Sequence, residues 1–259
     1  MDRIRIEVAS RWRTKSEERD LPTSFNELSE SQFRSLMRHH GAIDSNPYFL
    51  AEFYNLNVKF INKMSSYQRF MLEYGPRCLL VKELIANHFF IQSLFRCFLA
   101  PSPKLTGVTL RHFVFFDTFF FQATEKQDKE SKARFIAALY LKRGETITAF
   151  DFDKRVDLFL SLLDDSVAEA VMFNYVCIRH WLAKAFPLVF SFSKKKDEDK
   201  KAQQPDWRAI VDNFAAADIL HLDEYYEIPV TDFFRIMNKR LAEYNRQKEE
   251  MNKIRTKHR

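Results

Sequence analysis

The chain has 259 residues, 46% hydrophobic and 29% charged, with 27 Phe against 4 Gly and a formal net charge of +6. That length allows one large domain or two ordinary ones, with a core that needs no covalent staples. Gly41, Gly75, Gly107 and Gly144 stand far apart, which excludes a glycine-rich phosphate cradle, and the excess of Phe points to helices packed through aromatic faces.

Residues 1–13 carry alternating charges and no apolar run, so no signal peptide is expected. Within them, residues 3–9 place Ile4, Ile6 and Val8 at every second position, the period of a half-buried strand, which Trp12 extends. Pro22 stops this element. Ser24 with Glu27, and Ser29 with Gln32, each match the capping box, in which a hydroxyl and a carboxylate or amide take up orphan helix N–H groups. The second box opens a stripe of Phe33, Leu36, Met37 and His40 that ends at Gly41.

Residues 44–74 read as aromatic-rich helix, broken near Ser65-Ser66. Gly75-Pro76 reads as a clean break, followed by a long apolar helix over 77–99 that Pro101 and Pro103 end. Lys82, Glu83, His88 and Arg96 mark that helix as buried in protein, not membrane-spanning. Residues 105–121 fit either a strand pair or a short buried helix.

Residues 125–142 return to helix, and Gly144 ends it. Residues 151–163 put Phe152, Val156, Phe159, Leu160 and Leu163 on one face. Asp164-Asp165 then caps a helix through about Ala185 that is apolar nearly all round, as a central buried helix would be, and Pro187 ends it. Residues 191–204 (SFSKKKDEDKKAQQ) mix charges with almost nothing to bury and read as a charged flexible linker. Trp207, Ile210, Val211, Phe214 and Ala215 form a helical stripe after Pro205. Residues 218–227 read as a turn region. Pro229 starts the last helix, with a stripe of Phe233, Ile236, Met237, Leu241 and Tyr244. No internal repeat is read.

Asp151 and Asp153 form the best carboxylate pair. On a strand they would share a face and could hold magnesium, but the apolar stripe that follows favours a helix start, where both suit the dipole. Asp164-Asp165 reads the same way. None of the seven histidines stands four residues from another, the spacing of a helical zinc site, so no metal is expected. Cys78, Cys97 and Cys177 are scattered and read as small buried hydrophobes in a reducing compartment. Cys177 and His180 lie three apart in apolar surroundings, which fits core and not a nucleophile with its base.

Residues 246–259 hold six basic residues against Glu249 and Glu250, a net +4, so the body is nearly neutral. The simplest reading is a solvated helix end that suits the dipole. The alternative is a nucleic-acid contact through Lys239, Arg240, Arg246, Lys248, Lys253, Arg255 and Lys257, with aromatics interleaved. An amphipathic helix docking on a partner protein accounts for the same region with less. Its anchors would be Phe233, Phe234, Met237, Leu241 and Tyr244.

Two stretches also carry a family resemblance. Residues 21–33 (LPTSFNELSESQF), after a short strand, resemble the opening of small proteins encoded in tail-gene regions of prophages from the Bacteroides group, with Phe25 where that opening has Trp. Residues 207–245, from Trp207 through Ile228-Pro229 to Phe233, Met237 and Asn245, resemble the helix, turn, Pro, helix ending of phage tail-assembly (tape-measure) chaperones. The resemblance implies a helical, non-enzymatic protein that binds an extended apolar partner, with no catalytic residues and no cofactor. The partner would be another phage structural protein or a second copy. The location would be the cytoplasm of a bacterial host, or the virion.

The expected fold is therefore mainly α, a multi-helix bundle with a short N-terminal β element. A helical body is expected over 1–190, the linker over 191–204, and a small C-terminal helical module with a basic tail over 205–259.

Overall fold

A computed structural model describes all residues except 1, 10–13, 40–42, 44–45, 82–83, 191–204, 216–217, 219–220 and 258–259; the side chains of residues 9, 255 and 257 also lie outside the description. The expected linker, Trp12, His40 and Gly41 therefore fall outside the described residues. The fold is mainly α, with a small antiparallel hairpin at the N-terminus. The chain divides into two compact units: residues 1–92 with 163–178, and residues 93–162 with 179–259. The helices over 205–259 thus share a unit with 93–162.

In the first unit, β1 (Asp2–Ala9) pairs antiparallel with β2 (Thr14–Leu21), Ile6 opposite Glu17. Ile6 and Val8 face inward. The second strand, TKSEERDL, shows no apolar alternation, because backbone pairing and cross-strand charges such as Arg3 with Asp20 (3.7 Å) hold it. Of the two expected capping boxes, only the second exists. Ser29 opens α1 (Glu30–Arg38), its hydroxyl accepting from the Gln32 N–H while the Gln32 side chain accepts from the Ser29 N–H. Ser24 makes no side-chain cap. Glu27 turns back instead onto the Thr23 N–H and hydroxyl (2.8 and 3.0 Å), and the backbone bond above all holds its carboxyl down at about 2.

Three helices follow: α2 (Pro47–Phe53), α3 (Val58–Ile61) and α4 (Ser66–Val81). Asn46 and Asn57 cap the first two with their side-chain oxygens. The expected break at Gly75-Pro76 is absent, for both residues sit inside α4. A Cβ at Gly75 would lie 2.9 Å from Leu21 Cδ1, so this glycine lets the hairpin approach the helix. The carbonyl of Leu72, which Pro76 cannot serve, accepts the Tyr54 hydroxyl at 2.8 Å.

The expected helix over 77–99 ends at Val81. Residues 84–92 have no helix or strand, yet Phe89, Phe90 and Ile91 are all buried. Three consecutive buried side chains need cover on several sides, which one face of a helix does not give. Distant groups take up their backbone. The Asn87 N–H donates to Asn26 Oδ1 (2.9 Å), and Asn174 accepts from the Phe90 N–H (2.7 Å) while its amide donates to the His88 carbonyl (3.1 Å). Asn174 lies on α8 (Asp165–Ala185), which runs as expected from the sequence.

In the second unit, β3 (Ser93–Leu94), β4 (Phe98–Leu99) and β5 (Leu141–Lys142) form a small antiparallel sheet in that order. The β3–β4 turn holds Phe95 and Arg96 at φ 49° and 63°, without the Asn or Gly that would announce it. The ambiguous stretch over 105–121 is helical: α5 (Leu110–Lys126) starts at a Thr109 cap. The expected helix over 125–142 divides, because Gln127 turns left-handed (φ 56°) and Asp128 caps α6 (Lys129–Leu139). Then come α7 (Phe152–Leu162), α9 (Pro187–Phe190), α10 (Trp207–Phe214), α11 (Leu222–Glu227) and α12 (Val230–Lys257). α8 ends at Ala185, before Pro187 as expected, and Pro187 also begins the short α9; the expected turn over 218–227 contains α11. Rings join these elements: Phe113 on α5 meets Trp207 at 5.3 Å and Phe234 at 5.1 Å, edge to face.

Candidate functional site

The expected docking helix is α12, and its first two turns face the core. The Leu110 N–H donates to the Ile228 carbonyl and the Val230 N–H to the Val108 carbonyl, both at 2.9 Å, which pins the helix start beside α5. Phe233 and Phe234 are consequently fully buried, against Phe214 (4.7 Å) and Phe190 (5.1 Å). They are corrected from partner anchors to core residues. Met237 and Leu241 are half-buried, and Tyr244 is exposed. An apolar stripe shows which face is greasy but not how much of it the rest of the chain covers.

The basic residues of α12 separate in the same way. Arg240 is committed to the fold, donating to the Phe214 carbonyl (2.9 Å) with its guanidinium 4.2 Å from the ring centre. Lys239, Arg246, Lys248 and Lys253 are exposed, and Arg246 lies 3.9 Å from Glu250. The side chains of Arg255 and Lys257 lie outside the described residues.

A second surface was not singled out from the sequence. On α4, Leu72, Pro76 and Leu79 face inward. The opposite face carries Tyr67, Phe70, Met71, Tyr74 and Val81, each at least half exposed. Their spacing of three, four and seven residues makes one continuous strip. Tyr67, Phe70, Met71 and Tyr74 fall within the helix expected over 44–74, and only Val81 lies beyond the expected Gly-Pro break; the letters show the rings but not which face the rest of the chain leaves bare.

Ionisable groups occupy structural posts. Asp117 on α5 is wholly buried; one oxygen takes the Arg179 guanidinium and the other accepts the Trp207 indole N–H at 2.7 Å. Arg155 pairs with Glu145 at 2.5 Å beneath Phe150. Asp151 caps α7 through the Lys154 N–H (3.2 Å), and Asp153 lies 3.6 Å from Arg134. Asp164 caps α8 through the Ser166 N–H (2.8 Å). His112 donates from Nε2 to the Ala138 carbonyl (2.9 Å), and burial pushes its pKa down to about 4. Burial pushes the Cys177 thiol up to about 12, far from the thiolate a nucleophile needs, and His180 is exposed. Cys97 is exposed, against the expectation of burial.

Among the described residues no group of three or more His, Cys, Asp or Glu side chains is placed to hold a metal ion, and no helix is long and apolar enough to cross a membrane. Comparison of the chain with protein-family models, with curated proteins and with solved structures finds no match.

Proposed function

We propose that this protein works without chemistry of its own, by gripping another polypeptide, as a phage or prophage structural or tail-assembly protein does. The observation that carries the reading is the α4 strip. Tyr67, Phe70, Met71 and Tyr74 stay more than half exposed in a chain that buries most of its Phe elsewhere. Singly exposed apolar residues are ordinary, but a contiguous strip of rings on one helix is the usual mark of a binding surface. Rigid rings lose little conformational freedom on contact, which suits them to an extended apolar partner segment.

The test is capture of a protein encoded beside it in a tail-gene region. Phe70→Asp with Tyr74→Asp is expected to lower binding about tenfold or more. Both residues are exposed, so the helical circular dichroism is expected to stay unchanged. Undiminished binding by the folded double variant defeats this reading.

A second reading has one observation in its favour. Lys239, Arg246 and Lys253 stand exposed at seven-residue intervals, so they share one face of α12. Such a row could follow a nucleic-acid backbone. Replacing all three by Gln is then expected to abolish low-salt DNA or RNA binding, and no measurable binding by the native chain ends it.

A further inference from the structure

Residues 237–257 read as three successive heptads, MNKRLAE, YNRQKEE and MNKIRTK. Met237, Tyr244 and Met251 recur at one heptad position, and Leu241 and Lys248 at the position four residues on. Alternating steps of four and three keep them on one face. That face begins inside the protein: Val230 and Phe234, earlier in the same pattern, are fully buried in the second unit. Beyond Leu241 it runs into solvent, with Tyr244 60% and Met251 55% exposed. The seam is covered at one end and bare at the other.

We propose that the bare end pairs antiparallel with the same segment of a second copy of this chain, as a short two-helix coiled coil. The charge pattern selects both the occupant and the direction. In a parallel pair equivalent positions meet, and Lys248 would face Lys248 across an apolar seam. In an antiparallel pair the two seam positions face each other. With the twofold axis near Arg246, Leu241 meets Met251 of the second copy. Tyr244 then meets Lys248 of the second copy, a cation over a ring. On the flanks Asn245 faces Asn245 and Gln247 faces Gln247, neutral amides on both sides. The basic row of Lys239, Arg246 and Lys253 points away from the contact. The segment is self-complementary in one direction and self-repelling in the other. This goes beyond the function proposed above, since it concerns α12 and a second copy and makes no use of α4.

Sedimentation equilibrium of the full chain over a concentration series is expected to show a reversible dimer. Met251→Glu, at an exposed site, is expected to weaken it about tenfold or more with unchanged circular dichroism. Direction is read by cross-linking in a Cys78→Ser, Cys97→Ser background. Under mild oxidation Gln247→Cys is expected to form a disulfide-linked dimer, and Arg246→Cys, on the outer face, is not. A chain that stays monomeric at every concentration overturns the proposal. So does a dimer that Met251→Glu leaves intact, or cross-linking at 246 as ready as at 247.

Discussion

The Tyr54 hydroxyl donates to the backbone carbonyl of Leu72 at 2.8 Å, the carbonyl four residues before Pro76. In an unbroken helix that carbonyl takes the N–H of residue 76, and proline has none. A side chain from the end of α2 thus repairs a defect in α4. Tyr54→Phe is expected to cost about 1–2 kcal/mol of stability, since it strands a buried carbonyl. With Pro76→Ala already present the helix can supply its own donor, and the same change is expected to cost much less. Urea midpoints of the four chains measure the coupling; equal costs in both backgrounds would show that the hydroxyl is not standing in for the missing donor.

Asp117 joins α5 to α10 through the Trp207 indole and to α8 through Arg179. Removing a buried carboxylate leaves its partners in low dielectric without it, so Asp117→Ala is expected to cost about 3–5 kcal/mol. Trp207→Phe keeps the ring packing but loses the donor, for about 1–3 kcal/mol. Chemical denaturation measures both. A loss at Asp117 no larger than that at Trp207 would place the weight of the cluster elsewhere.

His112 makes stability depend on pH. Burial lowers its folded pKa to about 4 from the ordinary 6.5, so between those values the unfolded chain binds the proton more readily. Its contribution is fully present above pH 6.5 and fades as pH falls toward 4. The size is about 3 kcal/mol across that window. His88, also lowered by burial, acts in the same direction. His112→Gln keeps an N–H for the Ala138 carbonyl but cannot titrate. The variant is therefore expected to lose less stability than the native chain between pH 7 and pH 4.5. Parallel denaturation curves at both pH values would remove His112 as the cause.

The three thiols are expected to react in order of access. Cys97 is exposed, Cys78 half-buried beside Tyr74, and Cys177 buried with its pKa raised to about 12. At neutral pH a thiol reagent is expected to modify Cys97 first and Cys177 only on unfolding. Peptide mapping over a time course gives the order, and early labelling at Cys177 contradicts the described packing.

What the sequence revealed and what it hid divide by the distance between partners. The Ser29–Gln32 box and the Asp151 and Asp164 caps are local, so the starts of α1, α7 and α8 were legible. The loop at 84–92 was not, because its donors and acceptors lie on Asn26 and Asn174, far along the chain. Its Phe-rich letters look helical until those amides are in place. The rings of the α4 strip lay within an expected helix, but their exposure depends on which face of α4 the rest of the chain covers, at Leu72, Pro76 and Leu79. The stripe on α12 was legible as a stripe, but the burial of Phe233 and Phe234 depends on contacts with Val108 and Leu110. The heptads were present in the letters and obscured by Lys248 and Arg255 at seam positions.

The N-terminal hairpin has a consequence for how the protein behaves in a crowded solution. A sheet of two strands has two borders whose unpaired backbone groups can attract another extended chain; on β1 the Gln68 amide already donates to the Glu7 carbonyl at 2.8 Å. Here those borders are studded with Arg3, Arg5, Lys15, Glu17 and Glu18. An incoming strand would have to strip water from these ions without matching them, which disfavours a third strand on the ladder.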